Sequence, residues 1–221
     1  RRDGLERELA KLGDGPGILV GTQMLAKGHD LPKLVLVCVA GIDEGLFSAD
    51  FRAGEKLAQL LVQVSGRAGR AERPGEVLLQ THHPEHPLLQ VLVSGGYRAF
   101  ADAELGQREA AGFPPFAHFA LLRAEAQGVA LPDGFLRAAA RAFDAARDAL
   151  APAQARSRLV AGPMPAPMPR RAGMDRAQLL LSSPARPALH AVLGAVIPGL
   201  HALPEARRVR WSLDVDPVDL Y

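Results

Sequence analysis

Two arginines three positions apart, Arg67 and Arg70, stand in the segment Gln63-Val64-Ser65-Gly66-Arg67-Ala68-Gly69-Arg70. The residues between them are small, and glycine lets a backbone approach a ligand closely. Arginines at this spacing project to one side of a helix end. There a pair can clamp the charge that develops during phosphoryl transfer, the arginine-finger role. The same residues also suit a plain basic helix terminus, where guanidinium groups meet the negative end of the dipole. Upstream lies a polar, glycine-bearing loop, Gly21-Thr22-Gln23-Met24-Leu25-Ala26-Lys27-Gly28-His29-Asp30-Leu31-Pro32. A GxxxxGK[ST] phosphate loop is absent from the sequence.

The elements around these segments alternate. Leu5 to Leu12 has helical spacing and stops at Gly13, and Ile18-Leu19-Val20 reads as a short buried strand. Leu34 to Ala40 is a continuous apolar run of the kind found in parallel sheets covered on both faces. The single cysteine, Cys38, falls in that run and is expected to be a buried, reduced thiol, which suits the cytoplasm. One cysteine excludes a disulfide framework or a cysteine-rich zinc site within the chain. Phe51 to about Val64 has a helical period, with Leu57, Leu60, Leu61 and Val64 on one face. Val77-Leu78-Leu79 predicts a third strand, Pro84 and Pro87 a turn, and His86 to Val93 and Tyr97 to Ala111 two helices. This is the pattern of an α/β lobe.

Pro114-Pro115 breaks that pattern, so we expect domains at 1–112 and 113–221. Beyond the break come strand Phe116 to Ala126, helix Leu131 to Leu150 and strand Arg158 to Ala161. A proline-rich loop, Gly162 to Gly173, precedes strand Ala177 to Ser182, helix Pro184 to Leu200 and strand Arg207 to Asp214. The order β-α-β-β-α-β is the split arrangement of ferredoxin-like domains, with one open sheet face, and names no function. Trp211, Leu213 and Val215 alternate at period two and read as core.

Of the 221 residues, 48% are hydrophobic and 23% charged, ordinary values for a globular protein. No apolar stretch is long enough to span a bilayer and no signal-peptide pattern opens the chain. The net charge of +2 says little about partners, but only four of the 26 cationic residues are lysines (Lys11, Lys27, Lys33, Lys56), leaving 22 arginines. Arginine pairs bidentately with phosphate, which fits a polyanion partner, although GC-rich coding produces the same bias.

The two opening segments together resemble motifs V and VI of superfamily 2 helicases, in the right order. The wording is closer to the PriA, or primosomal protein N′, family of replication-restart helicases. The similarity extends through Leu46 to Lys56, Leu78 to Leu89, Phe113-Pro114-Pro115-Phe116, Gly162 to Pro167, Gln178 to Leu181 and Leu213-Asp214-Val215-Asp216-Pro217. The resemblance implies part of a RecA-like second motor lobe followed by a small DNA- and partner-binding domain. It implies that Gln63, Arg67 and Arg70 face ATP, with Arg67 and Arg70 on its phosphates. Gly28 and Asp30 would link the nucleotide to the DNA track, and Thr22, Gln23 and Lys27 would lie near the DNA backbone. ATP and magnesium would be cofactors of the full-length enzyme, and zinc would sit in a cysteine-rich module upstream, with no metal in this chain. The first residue is Arg1, and the chain is expected to begin inside a longer protein that carries the other motor lobe. Ile42-Asp43-Glu44 follows an apolar strand like a magnesium-binding acidic pair. It lies downstream of the motif V match, however, where the family has no such site, so a solvated loop or a contact with other parts of the motor is the better reading.

Weaker signals remain. His82, His83 and His86 cluster but are interrupted by prolines, and a turn that caps or packs a helix start is expected in preference to a metal site. Arg156, Arg158, Arg170, Arg171 and Arg176, with Arg207, Arg208 and Arg210 on the last strand, are candidates to converge on phosphates. A solvated loop is the alternative. The resembled family has aromatics near Asp175 and Ala177 that this chain lacks, so DNA binding by Arg170, Arg171 and Arg176 would lean on charge. Arg186 and His190 sit one turn apart. By resemblance they belong to a pocket for the acidic, phenylalanine-ending tail of single-stranded DNA-binding protein, with Arg186 taking a carboxylate. The implied function is ATP-driven 3′-to-5′ unwinding at stalled or repaired forks, then primosome assembly and loading of the replicative helicase. The implied location is the cytoplasm, at the nucleoid, and the chain alone should not hydrolyse ATP. The alternatives are a non-catalytic module that holds forked and single-stranded DNA and partner tails, or another superfamily 2 motor.

Overall fold

The computed structural model describes residues 15–23, 34–48, 50–66, 75–150 and 160–220. Two compact units divide the chain: Arg1–Gly41 with Gln59–Thr81, and Ile42–Ala58 with His82–Tyr221.

In the first unit, strands β1 (Leu36–Val39) and β2 (Glu76–Leu79) pair in parallel, with Cys38 opposite Leu78. Both runs are apolar, but their residues alternate between exposed and half-buried. Burial on both faces is therefore not observed, and Cys38 is exposed rather than buried. The physical reason is the size of the sheet: among the described residues it has two strands, too few to enclose its own side chains. The expected strand at Ile18-Leu19-Val20 is also not formed. Ile18 is 92% and Val20 89% exposed, and among the described residues this segment has no ladder partner.

The second unit opens with the one-turn helix α1 (Asp43–Leu46) and the start of α2 (Ala53–Ser65). Helix α2 follows the expected period: Ala58, Leu61 and Val64 are buried, and Leu57 and Leu60 half-buried. Its first six residues, Ala53–Ala58, belong to this unit. Helix α3 (Pro87–Ala111) occupies the place of the two expected helices and breaks between them at Gly96, where φ is 73° and ψ −172°. That conformation is closed to residues with a Cβ, so glycine supplies the break. Phe100 and Leu88 of α3 pack with Ala58.

Strands β3 (His118–Ala126), β4 (Val160–Arg171), β5 (Met174–Ser183) and β6 (Arg210–Val215) form an antiparallel sheet in the order β4-β5-β3-β6. Helices α4 (Ala130–Leu150) and α5 (Arg186–Leu200) lie between strands in the sequence and cover one face. The even positions of β3 (Ala120, Leu122, Ala124) and Leu179 and Leu181 of β5 meet Phe135, Leu136 and Phe143 of α4 and Leu189, Val192 and Leu193 of α5. Period two on the strands and 3.6 on the helices select these residues. Trp211 and Leu213 join this core, while Val215 is 40% exposed.

Three expectations change here. The proline-rich segment is the edge strand β4 and not a loop. An edge strand needs hydrogen-bond donors on one side only, and Pro163, Pro165, Pro167 and Pro169 fall at every second position. Register irregularities between Ala161 and Met164, and between Pro165 and Arg170, absorb its extra length. At the first of these Gly162 has φ 111°, and a Cβ there would lie 3.0 Å from Met164 N and 3.1 Å from Gln178 O. Next, the second sheet face is not open along its whole length. Phe119 and Leu121 are buried, and Phe51 and Phe113 pack against Phe119 at 5.6 and 6.1 Å between ring centres. Finally, Arg207 and Arg208 stand on a 3-10 turn, Pro204–Arg208, ahead of β6, a turn that Pro204 opens with its fixed φ.

Candidate functional site

Helix α2 carries Gln63, exposed, two residues from its end. Thr22 and Gln23 are exposed as well. Gly28, Asp30, Lys27, Arg67 and Arg70 lie outside the described residues, as do Arg156 and Arg158. Of the residues assigned to ATP, Gln63 alone is described, and its exposed amide is open to a ligand.

The start of α2 is built from charge. Asp50, whose side chain is 1% exposed, receives the Arg52 N–H at 3.1 Å and the Lys56 ammonium at 2.7 Å. This Asx-type turn satisfies the Arg52 N–H just ahead of α2, and the Asp50 carbonyl takes the Ala53 N–H at 2.9 Å. Glu55 accepts hydrogen bonds from Arg52 Nη2 at 3.0 Å and Arg108 Nη2 at 3.2 Å. Arg108 also reaches Glu104 at 3.1 Å and lies over the Phe51 ring, 5.5 Å from its centre. The Arg52 hydrogen bond most of all, and then Arg108, hold the Glu55 carboxyl below the usual carboxylate range, against the opposing effect of partial burial. In the sequence this stretch stands out only by its resemblance to a known family. Arg52 and Glu55, and Glu104 and Arg108, are legible as helical pairs, but the bond across 53 positions is not.

Two arginine groups distant in sequence meet at one end of the four-stranded sheet. Arg170 and Arg171 close β4 at a tight hairpin, opposite Asp175 and Met174, and both are exposed. Arg176 of β5, Glu125 of β3 and Arg210 of β6 then form one row across three strands. Glu125 lies 3.8 Å from Arg176 Nε and 3.2 Å from Arg210 Nη1. Arg210 remains 82% exposed, and Arg207 and Arg208 precede it, also exposed. Antiparallel order puts the end of β4, the start of β5, the end of β3 and the start of β6 at the same edge of the sheet. One carboxylate between two guanidiniums leaves the row positive, and the flanking arginines add to it. Such a surface attracts phosphates without reading bases. Glu125 was missed in the sequence, where nothing local ties it to either arginine.

Arg186 opens α5, after an N-cap residue, Ala185, that makes no side-chain cap. Its guanidinium is not free: Nη2 lies 3.0 Å from Asp216 Oδ2, and the other oxygen of Asp216 is 4.0 Å from His118 Nδ1. His190, one turn on, is exposed. At the histidine turn, the Asp43 carboxylate accepts the His82 N–H at 3.2 Å, and His83 and His86 meet the Phe47 ring edge-on at 4.6 and 5.4 Å. These imidazoles pack the approach to α3, and His86 makes no side-chain cap. Among the described residues no helix is long and apolar enough to cross a membrane.

The family described as "Primosomal protein N C-terminal domain" matches residues 109–218. A protein of Haemophilus influenzae named "Replication restart protein PriA" is 45% identical over 221 residues, 100% of this chain and 29% of that protein. Its namesake in Bacillus subtilis is 35% identical over 218 residues, 98% of this chain and 26% of that protein. In Synechocystis the namesake is 49% identical over 106 residues, 48% of this chain and 13% of that protein. The chain thus spans little more than a quarter of the length of the first two relatives. Similarity over the whole length of the chain places it in the PriA family of replication restart proteins.

Proposed function

We propose that this chain is the C-terminal portion of an ATP-dependent 3′-to-5′ DNA helicase that recognises stalled or repaired replication forks and restarts replication through primosome assembly. The observation that carries this reading is the run Gln63 to Arg70 beginning on the exposed end of α2, in a chain similar over its whole length to a replication restart protein. In this reading residues 1–112 contribute part of a RecA-like lobe, and the parallel β1–β2 pair supports it. Residues 113–221 form a ferredoxin-like domain, supported by the order β-α-β-β-α-β and the antiparallel arrangement β4-β5-β3-β6. Arg67 and Arg70 meet the triphosphate, Arg170, Arg171 and Arg176 meet DNA phosphates, and Arg186 with His190 receives the acidic tail of single-stranded DNA-binding protein. The test is fork unwinding by the full-length protein carrying Arg70→Ala. A loss of about 10³-fold or more in turnover is expected for an arginine finger, and wild-type unwinding would overturn the assignment.

A second reading has its own support. The arginine end of the sheet suits a module that holds fork DNA without catalysis. It requires salt-sensitive binding of forked DNA by this chain in the absence of nucleotide. Flat fluorescence anisotropy at low salt would remove it.

A further inference from the structure

We propose that Asp216 is an internal occupant of the anion site at the start of α5, so that an acidic partner peptide binds only by displacing it from Arg186. This rests on the reading above that Arg186 and His190 receive an acidic peptide, and it adds the regulation of that site. The Asp216 carboxylate is shared between Arg186 at 3.0 Å and His118 at 4.0 Å. Arg186 is itself the first residue of a 15-residue helix whose N-cap residue, Ala185, makes no side-chain cap. A guanidinium and an imidazole on the two oxygens of one group select a carboxylate. The chain's own carboxylate already fills that position.

The backbone shows that this placement is imposed. Asp216 has φ 54°, in the left-handed region that costs residues with a Cβ, and its N–H donates to Phe119 O at 2.9 Å. The next residue, Pro217, is buried and anchors the turn. The segment Asp214-Val215-Asp216-Pro217-Val218-Asp219-Leu220 alternates acidic and apolar residues, the same chemistry as the peptide it would exclude. Its other anchors are independent of Arg186. Arg123 lies 3.3 Å from Asp214 and 4.0 Å from Asp219, and Arg52 donates to Val218 O at 3.5 Å. Loss of the Asp216 charge therefore frees Arg186 while the segment stays in place. The pair itself is weak enough to be displaced. Arg186 is 57% and Asp216 44% exposed, and an exposed ion pair changes an equilibrium constant by about five-fold at most.

The experiment titrates the full chain into a fluorescein-labelled synthetic peptide rich in aspartate and ending in phenylalanine, at low ionic strength. Asp216→Asn and Asp216→Gly should each tighten binding by about two- to five-fold. The glycine variant suits the left-handed backbone and guards against misfolding of the first. Asp219→Asn, which removes an acid from Arg123, should leave the affinity unchanged. The gain should vanish on an Arg186→Ala background. If Arg186→Ala weakens binding but neither Asp216 variant tightens it, internal occupancy is wrong and the peptide site stands. If Arg186→Ala binds as tightly as the wild type, the peptide site is wrong and the occupancy proposal falls with it.

Discussion

Arg108, near the end of α3, donates to Glu55, in the first turn of α2, at 3.2 Å. The two residues are 53 positions apart, and each side chain is largely withdrawn from solvent, at 10% and 21% exposure. Their bond fastens the start of α2 to the helix that leads into β3. Because Arg52 shares the same carboxylate, the pair is one edge of a network.

Removing that carboxylate should loosen this junction. Glu55→Gln leaves two guanidiniums short of a charged acceptor, and a loss of about 1–3 kcal/mol is expected in urea unfolding. The pH dependence has a definite sign. The folded-state pKa of Glu55 is lowered, so its stabilisation is complete above the ordinary carboxylate range and is lost as pH falls through the depressed value. Unfolding midpoints of wild type and Glu55→Gln should converge towards acid pH. Parallel profiles would show that the ion pair contributes nothing.

The arginine end of the sheet can be tested by salt. Arg171→Ala and Arg210→Ala should each weaken forked-DNA binding and reduce the slope of log K against log salt by about 1. Unchanged slopes would place the phosphates elsewhere.

Glu125 is the acid within that row, and a phosphate that takes Arg210 must compete with it. Glu125→Gln should tighten DNA binding by about two- to five-fold and steepen the salt dependence. Asp144→Asn, on helix α4, should change neither, so equal effects of the two variants would point to general charge and not to this row.

Gly162→Ala tests the edge strand. The added methyl meets Met164 N and Gln178 O at about the closest approach a Cβ can make, at φ 111°. A loss of about 1–3 kcal/mol is expected for a strained backbone position, measured as a lower thermal midpoint. An unchanged midpoint would mean that the irregularity at Ala161 and Met164 is freely deformable.

The sequence by itself determined most of the local elements and the family. Periodicity located α2, α4, α5 and the two halves of α3, and the order of strands and helices beyond Pro115 was legible, because each depends on neighbours a few residues away. The run from Gln63 to Arg70 and the loop from Gly21 to Pro32 were recognisable for the same reason. Tertiary structure alone decided that prolines 163 to 169 ride an edge strand, that Cys38 and Ile18 face solvent, and which distant acids Arg108, Arg176, Arg186 and Arg210 meet. Glu55 with Arg108, Glu125 with Arg176 and Arg210, and Asp216 with Arg186 are joined across distant parts of the chain. Such partners are set by strand order and helix packing, which no local spacing encodes.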